Sequence, residues 1–133
     1  MNELCCLIGY ICIVILERQV LAYKKYFLSF YEKQPDNVQL KIEWVLNLIR
    51  VTRQIPEKYF KHLEGTKGLY EIRVEVVGNI YRIFCFFDKG NLVVLGNAFQ
   101  KKTQKTPKKE IDSALKIMEE YQSLFKNERG IML

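Results

Sequence analysis

The stretch LYEIRVEVVGNIYRIFCFFDKGNLVVLGNAFQKKTQKTP, Leu69 to Pro107, decides how the rest of the chain is read. From Tyr70 to Val77 the side chains alternate: Tyr70, Ile72, Val74 and Val76 fall on one face, and Glu71, Arg73, Glu75 and Val77 on the other. That period of two is a strand with one buried side. Gly78-Asn79 is a hairpin signal and predicts a second, antiparallel strand. In that register Val77 pairs with Ile80, Glu75 faces Arg82, and Arg73 is the diagonal neighbour of Arg82. The opposite face then carries Tyr81, Ile83, Cys85 and Phe87 beside the apolar set of the first strand, so it must be covered by helices. A turn over Asp88 to Asn91 leads to a third strand, Leu92 to Phe99. Pairing Phe87 with Leu92 sets Asn97 beside Arg82, gathers Arg73, Arg82, Asn97 and Phe99 into one band, and turns Gly96 and Ala98 toward the helices. A one-residue slip would undo this arrangement.

Directly after the third strand, QKKTQKTPKK supplies five lysines in ten residues, Lys101, Lys102 and Lys105 among them. Arginines on a strand face often form only a surface ion-pair ladder, here with Glu71 and Glu75, which adds little stability. Lysines converging on the same end of the sheet suit a phosphodiester instead.

Moving outward, the N-terminal side is helical. Phe27, Phe30 and Tyr31 recur at helical steps until Gln34, Pro35 and Asp36 interrupt them. A second helix from about Asn37 carries Val38, Ile42, Val45, Leu46 and Ile49 as one apolar stripe. Together these predict a helical hairpin with one oily side. Trp44 lies beside the stripe and reads as core or core edge, not as a base-stacking platform. Ile55 and Pro56 close the second helix, and PEKYFKHLEGTKG reads as a polar connection carrying Lys58, Lys61, His62 and Lys67. Beyond the lysine loop, Thr106 and Pro107 suit a helix start. Ile111, Ala114, Leu115, Met118 and Tyr121 mark the apolar face of a last helix ending near Phe125, with 127–133 as a tail.

Leu4 to Leu16 is an uncharged apolar run, shorter than the roughly 20 residues that span a bilayer. It lacks the basic start and small-residue cleavage site of a signal peptide. It reads either as the approach to an opening strand, about Ile13 to Tyr23, or as residues translated from upstream of the natural start. The expected organisation is an apolar extension over 1–12 and a single domain over 13–126.

At 133 residues the chain has room for one domain. Its 21 Lys and Arg against 15 Asp and Glu, net +6, favour anionic partners. Cys5, Cys6, Cys12 and Cys85 form no CxxC metal pair, and reduced cytoplasmic thiols are the simplest reading. With His62 as the one histidine, a two-histidine metal site or a nuclease built on a histidine pair is excluded by count.

The runs GLYEIRVEVVGNIYRIF and NLVVLGNAFQKKTQKTPKKEI resemble the RelE/HigB superfamily of bacterial toxins, in its phage-derived, host-interference subgroup. The resemblance covers roughly 17–122. It rests on an arginine in each of two paired strands and on the F-x-KKT-x-KTP loop, in that order. It implies an α+β, RelE-like microbial ribonuclease-type fold, in which a curved, antiparallel-dominated sheet carries an N-terminal helical hairpin on one face, with a C-terminal helix. It also implies a type II toxin, a ribosome-dependent mRNA endoribonuclease in which the ribose 2′-hydroxyl attacks its own phosphate without metal or cofactor. Its partners would be a cognate antitoxin of helix-turn-helix type, the ribosome and mRNA, in the cytoplasm and with no membrane. Carried over, Arg73 and Arg82 would grip the scissile phosphate, and Lys101 and Lys102 would stabilise charge. Lys67, Asn97, Phe99 and Lys105 would hold RNA. The proton acceptor stays open among His62, Lys61 and Lys67. The chain departs from the family at Gly96-Asn97-Ala98, where many relatives carry a bulky apolar residue and then a polar-Gly pair. A non-catalytic module that binds antitoxin or nucleic acid through the same basic face is the alternative reading.

Overall fold

The computed structural model describes residues 16–132, with side chains described through Phe125. The elements run β1 (Gln19–Ala22), α1 (Tyr26–Glu32), α2 (Asp36–Val51), β2 (Phe60–His62), β3 (Leu69–Val76), β4 (Asn79–Asp88), β5 (Leu92–Lys101) and α3 (Lys108–Met132). The strands form one mixed sheet in the order β1-β5-β4-β3-β2. Only the β1–β5 pair is parallel. The apolar extension over 1–12 and the start of the expected first strand lie outside the described residues.

The helical hairpin forms where the periodicity places it. Val38, Ile42, Val45, Leu46 and Ile49 are all buried along α2. They pack on Ile72, Val74, Tyr81, Ile83 and Cys85, the expected apolar face of the central strands. Pro35 starts α2 by offering its carbonyl to Val38 N and Gln39 N, both at 3.0 Å. The other end of α2 is closed by Arg18. Its guanidinium donates to the carbonyls of Ile49 (3.2 Å), Thr52 (2.6 Å) and Arg53 (3.0 Å), where a cation meets the negative end of the helix. Glu17 N and Arg18 N also donate to Arg50 O, so these residues serve α2. The first strand is therefore shorter than expected and pairs with β5 only over Gln19 to Ala22.

The β3–β4 turn sits one residue earlier than its Gly-Asn signal predicts. Val77 (φ 48°) and Gly78 (φ 80°) occupy the turn, and Val76 pairs with Asn79. Positive φ at both central residues is the primed geometry that hairpin twist demands. A β-branched residue accepts it only under strain. The pairing thus shifts by two residues, so the faces are kept, but Arg73 now stands directly opposite Arg82.

At the β4–β5 turn Asp88 pairs with Leu92, one residue off the expected register, which carries Leu95 to the hairpin side. A bulge between Ile83 and Cys85 then restores the faces: Ile83 pairs with Ala98 and Arg82 with Phe99. Gly96 is consequently turned not toward the hairpin but toward α3, where a Cβ would lie 3.6 Å from Ile117 Cγ2.

Three further expectations are corrected. The polar connection contains β2, which adds an edge strand because Phe60 and Tyr70 stack at 5.0 Å between the ring centroids. Trp44 is 49% exposed. The last helix continues to Met132, since Lys126, Glu128 and Arg129 are good helix formers and no proline intervenes.

α3 packs across the arginine-bearing face, but only at one end. Ala114 meets Leu69 and Phe84, while Ile117, Met118 and Tyr121 meet Tyr23, Phe86 and Val94. The end of that face bearing Arg73 and Ile80 is left open to a pocket. Glu120 fastens α3 to the β1–α1 connection by accepting from Tyr23 Oη (3.1 Å), Tyr26 Oη (3.0 Å) and Lys24 Nζ. Lys24 and then Tyr26, with Tyr23 adding less, hold its carboxyl below the usual glutamate value, against the opposing effect of burial. A carboxyl depressed on folding stabilises above its unfolded value, about 4.3, and loses that contribution as pH falls through the folded one. Glu120→Gln is therefore expected to be less stable than wild type at pH 7, with the difference shrinking by pH 3. Urea denaturation at both pH values checks this, and an equal difference at each would refute the linkage.

Candidate active site

Arg73 and Arg82 project from directly opposed positions of β3 and β4, and one carboxylate lies beneath both. Glu71, two residues before Arg73, shares its face by strand alternation, stands opposite Phe84, which packs on Ala114 of α3, and is 4% exposed. Its Oε1 accepts from Arg73 Nε (3.1 Å) and Nη2 (3.0 Å). Its Oε2 lies 3.5 Å from Arg82 Nε, an ion pair in which neither atom has a hydrogen-bond partner among the described residues. Arg82 Nη1 donates to Tyr81 O at 3.2 Å. Arg73 Nη1 and Arg82 Nη2 have no partner among the described residues. Burial pushes the Arg82 guanidinium below its ordinary pKa, with Arg73 adding to the effect, while Glu71 and Glu75 hold it up. An arginine so placed stays charged at neutral pH.

Arg82 does not stand at the solvated surface that an ion-pair ladder on this face would occupy. Its side chain is 11% exposed, against 29% for Arg73. Alternation fixes which face a residue takes, but not how much of that face a distant helix covers.

The arginines open onto a pocket of about 270 Å³. It is lined by Arg73, Val74, Glu75, Ile80 and Arg82 of β3 and β4, with Lys41, Lys58 and Tyr59 from outside them. Tyr59 arrives there because its carbonyl accepts Arg73 N–H at 2.8 Å, carrying the β2–β3 ladder one step past β2. Lys41 comes from α2, and so from the hairpin layer. Sequence reasoning did not select Lys41, Tyr59 or Glu71 for the site. Glu71 alone had a signal, its two-residue spacing from Arg73.

Lys101 stands opposite Ile80, one row beyond Arg82 on the same face, and with Lys102 lines a shallow depression that shares Ile80 with the arginine pocket. Phe99 stands opposite Arg82 and packs on Phe84 at 5.5 Å. Asn97 donates to Glu110 O at 3.1 Å and so ties the first turn of α3 to β5. Lys105 is exposed in the loop, where its carbonyl accepts from Thr103 Oγ1. Lys67 is exposed in the β2–β3 connection. Lys61 shares the arginine face opposite Glu71 and pairs with Glu57 at 3.4 Å. His62 stands opposite Tyr70, edge-on to its ring at 5.0 Å, which puts it on the other face of the sheet from the arginines.

A family model described as phage derived protein Gp49-like matches residues 29–119. Among solved structures, a chain of the archaeal RelE–RelB complex from Pyrococcus horikoshii OT3 aligns with a TM-score of 0.50 and 16% identity, over 65% of this chain and 97% of that one. A chain of the RelB–RelE antitoxin–toxin complex from Methanococcus jannaschii aligns at 0.47 and 15%, over 65% and 99%. No curated protein sequence matches significantly. The first likeness shows the fold, an α+β, RelE-like sheet with a helical hairpin on one face and a C-terminal helix.

Proposed function

Because the chain belongs to the Gp49-like family of phage-derived proteins, we propose that it is the toxin of a type II toxin–antitoxin system, of the RelE/HigB kind, and that it cleaves mRNA on the ribosome. One observation carries the reading. Two guanidinium groups share one buried carboxylate, Arg73 by hydrogen bonds and Arg82 by an ion pair, and both line a pocket with two more cations, Lys41 and Lys58. Fixed cations are what a phosphodiester needs as it gains charge on the way to a pentavalent phosphorane.

In the proposed reaction the ribose 2′-oxygen attacks the adjacent phosphorus and the bond to the leaving 5′-oxygen breaks. The products are a 2′,3′-cyclic phosphate and a 5′-hydroxyl. Arg73 and Arg82 hold the non-bridging oxygens. Lys101 and Lys102 hold the backbone beyond Ile80. Among the lining residues, Glu75, Lys58 and Tyr59 carry groups able to accept or donate a proton. The proposal places the transfer among them and not at His62 or Lys61. The reading includes a cytoplasmic protein restrained by an antitoxin of helix-turn-helix type.

The test is a translation reaction with purified ribosomes and a defined mRNA, with 5′ ends mapped with and without the protein. Cuts that require ribosomes are expected. Intact mRNA in the presence of folded, antitoxin-free protein would overturn the enzyme and leave a binding module that does not cleave.

A further inference from the structure

We propose that Trp44, with Lys41 and Tyr59, forms a stacking subsite for a nucleobase of the RNA whose phosphate lies at Arg73 and Arg82; the inference rests on the reading of that pocket as an RNA site. Trp44 is the one tryptophan of the chain. It points away from the buried stripe of α2 and is 49% exposed, large for so apolar a side chain. A single exposed apolar residue needs no explanation. Trp44 differs in its surroundings. Tyr59 meets its ring at 5.5 Å and 66°, fixing the indole, and Lys41 Nζ lies 4.3 Å from its centroid.

Both of those neighbours also line the arginine pocket. Trp44 itself lines an adjoining groove with Leu40 and Val77, and Lys41 and Glu75 belong to groove and pocket alike. A strand of RNA with a phosphate on the arginines would meet the aromatic ring where pocket and groove join, at Lys41 and Glu75. A positive groove combined with an aromatic platform is the general chemistry of single-stranded nucleic-acid binding, and it tolerates any base because each has a π-face. Lys41 sits on a flexible stem. When a base takes the ring, its ammonium can leave the indole and follow the phosphate. A protein segment in the same groove would rest on Leu40 and Val77 and would need Trp44 only as an apolar surface.

That difference sets the experiment. The probe is a short single-stranded 2′-O-methyl oligoribonucleotide, which cannot be cleaved, titrated into the full chain while tryptophan emission and the anisotropy of a labelled copy are followed. Binding with quenched emission is expected. An abasic oligomer with the same phosphates should bind with the emission unchanged. Trp44→Phe should hold affinity within about threefold and Trp44→Leu should lose about tenfold, the scale of one base stack. Binding without quenching, or full affinity in Trp44→Leu, would overturn the subsite while leaving the arginine site standing; the latter result would point to a protein segment as occupant. If wild type and Arg73→Ala fail alike to bind, the subsite falls as a site for free single-stranded RNA, and the reading of the pocket falls with it only if ribosome-dependent cuts are absent too.

Discussion

Glu71→Ala is expected to lower the unfolding free energy by about 3 kcal/mol, the lower end of what breaking a buried ion pair costs. Glu71 is almost fully enclosed and is the shared anion of Arg73 and Arg82. Without it, a guanidinium only 11% exposed faces a neighbouring arginine with no carboxylate between them. The effects of burial and of Arg73 on Arg82 already push against its charged form, and Glu71 is the strongest influence holding it charged. The lower end of the range applies because Arg73 borders the pocket and can rehydrate. For a domain of this size the loss corresponds to a fall in Tm of roughly 10 °C. Glu71→Gln, which keeps the volume, should lie between wild type and Ala. An apolar replacement of both partners, Glu71→Leu with Arg82→Met, should recover much of the loss, as removal of a whole buried pair often does. Denaturant unfolding of the four proteins tests the account, and a loss under about 1 kcal/mol in Glu71→Ala would show that the arginines do not depend on this carboxylate. Cleavage should fall with stability in both Glu71 single variants, because Glu71 positions the guanidinium groups without touching RNA.

The same cluster shows what the sequence could and could not reveal. Periodicity predicts the buried stripe of α2 and the apolar face of β3 and β4, because each is a local repeat read against one core. It also puts Glu71, Arg73 and Arg82 on a common face, and that survives a misplaced turn because an error of two residues in register preserves sidedness. The direct opposition of the arginines is not legible, since it depends on Val77 accepting a left-handed conformation where Gly-Asn offered an easier turn. Nor is the bulge opposite Phe84, which reverses Gly96 and sets Phe99, not Asn97, across from Arg82. Lys41 and Tyr59 reach the pocket from separate elements, and no local pattern marks them. The burial of Glu71 and Arg82 is likewise not legible, because alternation gives the face a residue takes and not how deeply it is enclosed.

Arg73→Lys separates charge from geometry at the proposed catalytic centre. It is expected to slow cleavage about 100-fold while changing stability by less than about 1 kcal/mol. Arg73 uses Nε and Nη2 to hold Glu71 Oε1, which leaves Nη1 of the same rigid fork for a ligand. Lysine keeps the positive charge but concentrates it on one ammonium, which must choose between Glu71 and the phosphate. The buried carboxylate has the stronger claim in the free protein, so the fold is retained and the phosphorane loses a donor. Arg73→Ala should be worse on both counts, about 1000-fold in rate, with a further 1 to 2 kcal/mol lost because Glu71 Oε1 is left without its donors. Arg82 is the poorer residue for this comparison, since its burial ties any substitution to folding. Single-turnover cleavage on ribosomes, run beside urea unfolding, checks both quantities. A lysine variant within about threefold of the wild-type rate would mean that position 73 supplies charge alone, and the fork would have to be discarded as the reason for an arginine there.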